Sequence, residues 1–357
     1  MKIAVDARMI NMSGIGTYIK NLMKEDIYQI ALGNKDEIKE VGKIEDNNII
    51  QFNSKIYGIK EQLKFPYKEL KKLKPDLLHI PHYNVPIFYR GRIVVTIHDL
   101  THLKLKEFLP NKFAYFYAKF MMWIAIKKSE IVFTDSENTK NDILEFFKVN
   151  PDKIKVVLLS AGEEFKKKDK NEINYLYKKF NISRDKKLLM YVGNLKPHKN
   201  LERLLEAFSL IKNKEEYQLL LVGKAFEKYN VLEDKEKELG VKEYVIHTGI
   251  VTQEELVDLY NLADLFIFPS LYEGFGLPIL EALACGTKVI SSNTSSLPEV
   301  GGDVIEYFNP YDAKDICRAI EESDKKNFNE EKVNEWIKRF NWKETNAKVK
   351  ELLSLIN

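Results

Sequence analysis

Cysteine is scarce: the 357 residues hold two, Cys285 and Cys317. Two thiols exclude a disulfide framework and cannot alone hold a structural zinc, so a reduced, intracellular compartment is expected. Long apolar runs are missing too. No segment approaches the ~18 uncharged apolar residues that span a bilayer. Asp6 and Arg8 interrupt the opening MKIAVDARMI, leaving too short an apolar run for a signal peptide. The Asn-x-Ser triplets at Asn11, Asn181 and Asn293 are therefore expected to be chance matches. Charge of one sign is also short, with 56 basic against 53 acidic residues and a net +3. Without clustered charge, no nucleic-acid partner is expected. There is no low-complexity tract and no short-period repeat.

What is present is a 45% apolar share, enough to offset the entropy of ordering the backbone. The length suits about two domains. Short β-branched runs alternate with longer helical stretches. Strands are expected at Ile3–Ala7, Ile49–Phe52, Leu77–Ile80, Ile93–Ile97, Ile131–Thr134 and Ile154–Leu158. A second set falls at Leu188–Val192, Gln218–Val222, Val245–Thr248, Asp264–Phe268, Lys288–Ser291 and Val304–Glu306. These runs lack strict polar alternation, as parallel strands buried on both faces do. The expected architecture is α/β, two doubly wound domains with helices on both sides of each sheet. A polar, lysine-rich stretch after Leu159 separates the sets. The expected division is 1–165 for the first domain, 166–335 for the second, and a C-terminal helix over 336–357 returning towards the first. Ligands of such sheets bind beyond the carboxyl ends of the strands, so a cleft between the domains is the expected site.

Four stretches carry chemistry. After the first strand, Met12-Ser-Gly-Ile-Gly-Thr-Tyr18 leads into a helical segment reaching about Leu32. Gly14 and Gly16 there permit positive φ and close backbone approach, and the helix start offers N–H groups to an anion. The fourth strand ends in Thr96-Ile-His98-Asp99. A histidine there either projects from the strand end or is a satisfied core residue, and Asp99 is placed to orient its ring. His79 and His82 are expected on the same rim. Their spacing lacks the helical HxxxH pattern of metal sites, so no metal is expected. The second domain opens with Val192-Gly-Asn-Leu-Lys196-Pro-His198-Lys199 before an amphipathic helix, where a lysine suits a phosphate.

The most informative stretch is Tyr272-Glu273-Gly-Phe-Gly276-Leu-Pro278-Ile-Leu-Glu281. Gly274 and Gly276 make a tight turn, and Pro278 suits a first helical turn. Glu281 sits among Ile279, Leu280 and Leu283. A buried carboxylate requires partners, which the vicinal hydroxyls of ribose and hexose supply; the bland alternative is a helix cap plus a solvated glutamate.

That stretch resembles the Glu-x7-Glu motif of retaining nucleotide-sugar glycosyltransferases with the GT-B fold, family-four type. The likeness runs over nearly the whole chain, through the Gly14-Ile-Gly16 turn, the Ile97-His98-Asp99-Leu100 strand end, Thr134-Asp-Ser-Glu-Asn-Thr-Lys140, VGNLKPHKNL, TGIVTQEELVDLYNLAD and Ser296-Leu-Pro-Glu-Val300. The motifs are most similar to those of mannosyltransferases and related hexosyltransferases of polysaccharide assembly. The resemblance implies that Glu281 binds ribose hydroxyls and Glu273 the donor sugar. It implies that Lys199 neutralises the diphosphate, with Gly16 and the backbone around Gly276 and Leu277 donating N–H groups, and that Gly14, Gly274 and Phe275 also line the donor. His98 would lie near the anomeric centre, and Thr248, Gly249 and Ile250 near the base. The family carries an arginine where this chain has Asn194 or His198, and Lys196 stands in for it. The implied catalytic set is His98, Lys199 and Glu273, acting without metal or cofactor. The substrate is a GDP- or UDP-linked sugar, and the acceptor a saccharide or a lipid-linked sugar. A nucleotide-sugar epimerase and a non-catalytic sugar-nucleotide-binding protein are the alternatives. The expected setting is cytoplasmic. One further segment, Lys112–Lys128, is aromatic-rich with lysines; it reads as a packed helix, with peripheral membrane contact as the other reading.

Overall fold

The apolar runs form parallel strands in two separate sheets. The computed structural model describes residues 1–169, 171–223, 230–323, 325–326 and 328–356. The chain divides into one unit of Met1–Leu159 with Asn341–Asn357, and a second of Ser160–Phe340.

In the first unit the strands are β1 (Ile3–Asp6), β2 (Ile30–Gly33), β3 (Ile49–Gln51), β4 (Leu77–Ile80), β5 (Ile93–Thr96), β6 (Ser129–Thr134) and β7 (Ile154–Val156). Their order is β3-β2-β1-β4-β5-β6-β7, all parallel. The central strands β1, β2, β4 and β5 are buried at every position, which is why they read as unbroken apolar runs. One strand was not foreseen. The helix expected to reach Leu32 stops at Lys24, and Ile30–Gly33 instead pairs with both β1 and β3. Ile27 and Ile30 continue a helical spacing from Leu22 and Met23, and neither glycine nor proline marks the break.

The second unit holds β8 (Lys187–Val192), β9 (Tyr217–Val222), β10 (Val245–Gly249), β11 (Leu265–Phe268), β12 (Lys288–Ser292) and β13 (Glu306–Phe308). Their order is β10-β9-β8-β11-β12-β13, again parallel. β13 begins two residues later than the run at Val304, because the chain first turns through Gly302. The helix Leu201–Ser209 buries Leu201, Leu204, Leu205 and Phe208, an i, i+3, i+4, i+7 stripe.

The units meet in sequence a few residues from the expected boundaries. Residues 160–165 belong to the second unit, where the Ser160 hydroxyl donates to the Phe340 carbonyl at 2.9 Å and Phe165 packs on Tyr260. The helix Trp342–Ser354 belongs to the first. There Thr345 donates to the Leu158 carbonyl at 2.6 Å, and Val349 and Leu353 are buried. The helix Lys112–Lys128 buries Ala118, Met121, Met122 and Ala125 against the first unit's core. Only that face is packed: Phe113, Phe116, Phe120 and Trp123 are exposed, so the expected packed helix holds for half of its circumference.

Candidate active site

In the second sheet the strand order turns between β8 and β11. From β8 the chain winds outward through β9 to β10, and it then returns to β11 and winds the other way. Such a switch point leaves a crevice beyond the strand ends because adjacent connections leave on opposite faces. The loops after β8 and β11 flank it, and they carry Lys199 and Glu273. The Lys199 ammonium lies 2.5 Å from a Glu273 carboxylate oxygen, with the two side chains 17% and 16% exposed. The pair is thus sheltered yet open to a ligand. Lys199 also stands 5.6 Å from the centre of the Phe268 ring.

The two loops are fastened to each other by backbone and amide groups. Asn200, in a left-handed conformation at φ 61°, donates its side-chain amide to the carbonyls of Pro269 at 3.1 Å and Pro310 at 2.7 Å. The Leu271 N–H donates to the His198 carbonyl at 2.8 Å. The turn after Glu273 is held from the loop following β12. The Ser295 hydroxyl accepts from the Glu273 N–H at 3.0 Å, and the Ser296 hydroxyl donates to the Glu273 and Phe275 carbonyls at 3.0 and 2.7 Å. These serines were not foreseen as site residues, although Ser296 opens one of the motifs that carry the family resemblance.

Gly276 precedes the helix Leu277–Ala284 with φ 124°, and a Cβ there would stand 2.9 Å from Leu297. Glycine is required at this turn. The helix starts without a side-chain cap and without an acid in its first turn. Pro278 has no N–H and the Ile279 N–H donates to the Gly276 carbonyl at 3.0 Å, so the N–H groups of Gly276 and Leu277 are those that suit an anion. Glu281 lies on its second turn. The Tyr260 hydroxyl donates to one Glu281 oxygen at 3.0 Å. Burial pushes the Glu281 carboxyl up to about 7; the Tyr260 hydrogen bond opposes the rise and nearby Glu164 adds to it. A carboxylate held at that cost is poised to gain from hydroxyl donors.

The remaining second-unit candidates lie along the same edge of the sheet. Asn194 and Lys196 are exposed in the loop after β8. At the end of β10, Gly249 has φ 69°, Thr248 is half-buried and Ile250 is 74% exposed.

In the first unit three expectations change. Gly14 and Gly16 lie within the helix Ser13–Lys24 and not in a positive-φ turn. The Gly16 N–H donates to the Met12 carbonyl at 2.7 Å and is thereby spent inside the helix. Glycine is needed at 16 because a Cβ would sit 2.5 Å from the Ile10 carbonyl oxygen. His79 is buried in the core, not on a rim. Its Nδ1 lies 2.6 Å from the Tyr28 hydroxyl and its Nε2 2.9 Å from the Thr96 hydroxyl, and burial pushes its pKa down to about 3. His82 accepts the Asn84 N–H on Nδ1 and faces Asp6 through Nε2 at 3.3 Å. The histidines therefore have separate partners, and no group of metal-ligating side chains occurs among the described residues.

The orienting acid of His98 is Asp135, not Asp99. His98 Nδ1 lies 2.6 Å from Asp135 Oδ2, and Nε2 lies 3.2 Å from the Pro81 carbonyl. Asp99 instead accepts the Thr101 N–H at 2.8 Å. Both ring nitrogens face acceptors, the geometry of a protonated imidazolium. Burial alone would lower the His98 pKa, but the Asp135 carboxylate, with Asp99 and the Pro81 carbonyl, raises it above the ordinary value. The charged ring stabilises the fold below the unfolded pKa, and that contribution is lost as pH rises through the higher folded one. Asp135→Asn is expected to bring the His98 titration, followed by NMR, to lower pH and to shrink this acid-side stabilisation. An unmoved titration would reject Asp135 as its cause.

A buried ionic cluster fixes the strand ends nearby. Arg8 Nη2 lies 2.5 Å from Asp6 and 2.7 Å from Glu61, and Asn84 donates its amide to Glu61. The charges that interrupt the opening apolar run thus tie the loop after β1 to residues 54–61 and to the loop after β4.

Two doubly wound parallel-sheet units of this kind define the GT-B architecture. The model described as "Glycosyltransferase Family 4" matches residues 35–158, and that described as "Glycosyl transferases group 1" matches residues 172–341. The serotype-specific mannosyltransferase WbdA of Escherichia coli is 32% identical over 258 residues, 68% of this chain and 30% of that protein. The O-antigen chain mannosyltransferase B of Escherichia coli is 31% identical over 261 residues, 71% of this chain and 66% of its own length. The match therefore spans less than a third of WbdA and about two thirds of the second relative. A solved structure of Anabaena HepE in complex with UDP-glucose has the same fold, with TM-score 0.80 at 18% identity and full coverage of both chains. The chain belongs to the family-four glycosyltransferases.

No helix among the described residues is long and apolar enough to cross a membrane.

Proposed function

We propose that this protein transfers a hexose, with its anomeric configuration retained, from a GDP- or UDP-linked sugar to a saccharide or lipid-linked acceptor. The observation that carries the reading is the Lys199–Glu273 pair at the turn in strand order, one helix start away from the half-buried carboxyl of Glu281. Mannose is the favoured sugar because the named relatives are mannosyltransferases; HepE, solved with UDP-glucose, supports a nucleoside diphosphate sugar.

In this reading Glu281 accepts from the ribose hydroxyls and Glu273 from those of the sugar. The bond from the anomeric carbon to the diphosphate breaks with its electron pair on the leaving oxygen. Lys199 and the backbone N–H groups of Gly276 and Leu277 stabilise that growing charge, which is larger in the transition state than in the ground state. Lys196, exposed in the loop after β8, supports the diphosphate. The acceptor oxygen bonds to the anomeric carbon on the face the diphosphate left, and its proton passes to the departing phosphate oxygen. His98, with both ring nitrogens turned to the Asp135 carboxylate and the Pro81 carbonyl, contributes positive charge and does not act as a base. Positive side chains and helix starts supply the charge that a divalent cation would otherwise provide, so no metal is required.

Incubation with a panel of GDP- and UDP-sugars, without added metal and with chelator present, tests this. Release of nucleoside diphosphate is expected with at least one hexose donor. A changed sugar on the intact donor, with no release, would favour an epimerase, and no change with any donor would favour a binding protein.

A further inference from the structure

The helix Lys112–Lys128 leaves an apolar face without a partner among the described residues. Phe113, Phe116, Phe120 and Trp123 follow one another at i, i+3, i+7 and i+10 and are 83%, 64%, 52% and 46% exposed. Isolated surface aromatics are ordinary, but a contiguous stripe marks an interaction surface. Phe116, Phe120 and Trp123 line one groove. Phe120 and Trp123 stack with centroids 6.2 Å apart, and a groove of about 500 Å³ continues from them to Phe146 and Phe147.

Charge identifies the occupant. The helix contains four lysines and no acid. Lys128 turns inward and donates to the carbonyls of Ile87 and Tyr89 at 2.7 Å. Lys127 leans over the Trp123 ring at 4.9 Å and Lys119 over Tyr115 at 5.9 Å, while Lys148 edges the groove. The exposed acid beside the groove, Glu145, is paired with Lys104 at 2.8 Å. The surface is therefore an aromatic strip bordered by cations. A second copy of the chain meeting it about a two-fold axis would set lysines against lysines. An anionic bilayer instead supplies negative headgroups beside an apolar layer.

We propose that the outer face of this helix docks on an anionic lipid surface, lying in the plane of the interface with Phe116, Phe120 and Trp123 inserted among the headgroups. The opposite face is committed to the core, so the helix lies on the bilayer and does not enter it further. The proposal stands independently of the donor chemistry.

The test uses the full chain and sedimentation with phosphatidylcholine vesicles, with and without phosphatidylglycerol. Binding is expected to the anionic vesicles and to weaken as salt rises. The exposed-site variant Phe116→Ala/Phe120→Ala/Trp123→Ala, verified as folded by circular dichroism, is expected to bind at least about tenfold more weakly. Changing Lys119, Lys127 and Lys148 to Gln is expected to cost about fivefold per lysine. Equal binding by the aromatic variant and the wild type would overturn the proposal. So would binding to neither vesicle, or a wild-type dimer that this variant converts to monomer in light scattering.

Discussion

Replacing Lys199 by alanine is expected to lower turnover by roughly two to three orders of magnitude, about 3 kcal/mol or more of transition-state stabilisation. The ammonium is the positive side chain fixed at the turn in strand order, held 2.5 Å from Glu273 and against Phe268. Its removal takes away the charge facing the leaving diphosphate. It also leaves the sheltered Glu273 carboxylate unpaired, so a second negative group would then face the diphosphate. Both consequences act in the same direction. The effect should fall on kcat at saturating donor, because the charge that Lys199 meets grows as the bond breaks. Initial rates of nucleoside diphosphate release measure it; near-normal turnover would remove Lys199 from the chemistry.

The second large effect concerns Glu281. If its carboxylate accepts the two ribose hydroxyls, Glu281→Ala loses charge-assisted hydrogen bonds and weakens nucleoside diphosphate binding by at least about tenfold. Calorimetry reads this directly, and unchanged affinity would end the ribose assignment. The pH dependence adds a distinct signature. Burial holds this carboxyl near 7, and the ionised form is the better acceptor, so affinity should rise as pH climbs through about 7. The nucleotide ionises in a similar range, and Glu281→Gln is the control: the part of the rise owed to Glu281 should vanish in it. Stability should move the opposite way. Between the ordinary carboxyl value of 4.5 and about 7, the folded state holds the proton that the unfolded chain has lost. Stability therefore declines with rising pH across that window. Glu281→Gln escapes the decline and should melt higher than the wild type at mildly alkaline pH, with the two converging in acid.

These residues differ in how openly the sequence displayed them. Strands buried on both faces carry their signal in consecutive residues, so Leu77–Ile80 or Gln218–Val222 could be read without tertiary knowledge. β2 could not, because four residues following an amphipathic helix with no glycine or proline stop continue its apolar spacing. The Glu273–Glu281 stretch was legible because its glycines, proline and acids are local. Its contact with Lys199, 74 residues earlier, followed from both loops leaving neighbouring strands. Asp135 was hidden for the converse reason. It lies 37 residues beyond His98, and only the pairing of β5 with β6 brings it to the ring, whereas Asp99 is the adjacent residue and reads as the natural partner. Gly16 shows how one feature served two explanations: a glycine near a helix start suits an anion or a tight contact, and the Ile10 carbonyl decides for the contact. In Lys112–Lys128 both faces are apolar, so periodicity could not say which of them the core takes.

The most direct measurement is a structure of the protein with bound GDP or UDP. The diphosphate should lie against the Lys199 ammonium and the N–H groups of Gly276 and Leu277, with both ribose hydroxyls donating to Glu281. A nucleotide seated elsewhere, with Lys199 still closed on Glu273 and Glu281 touching only Tyr260, would contradict the assignment.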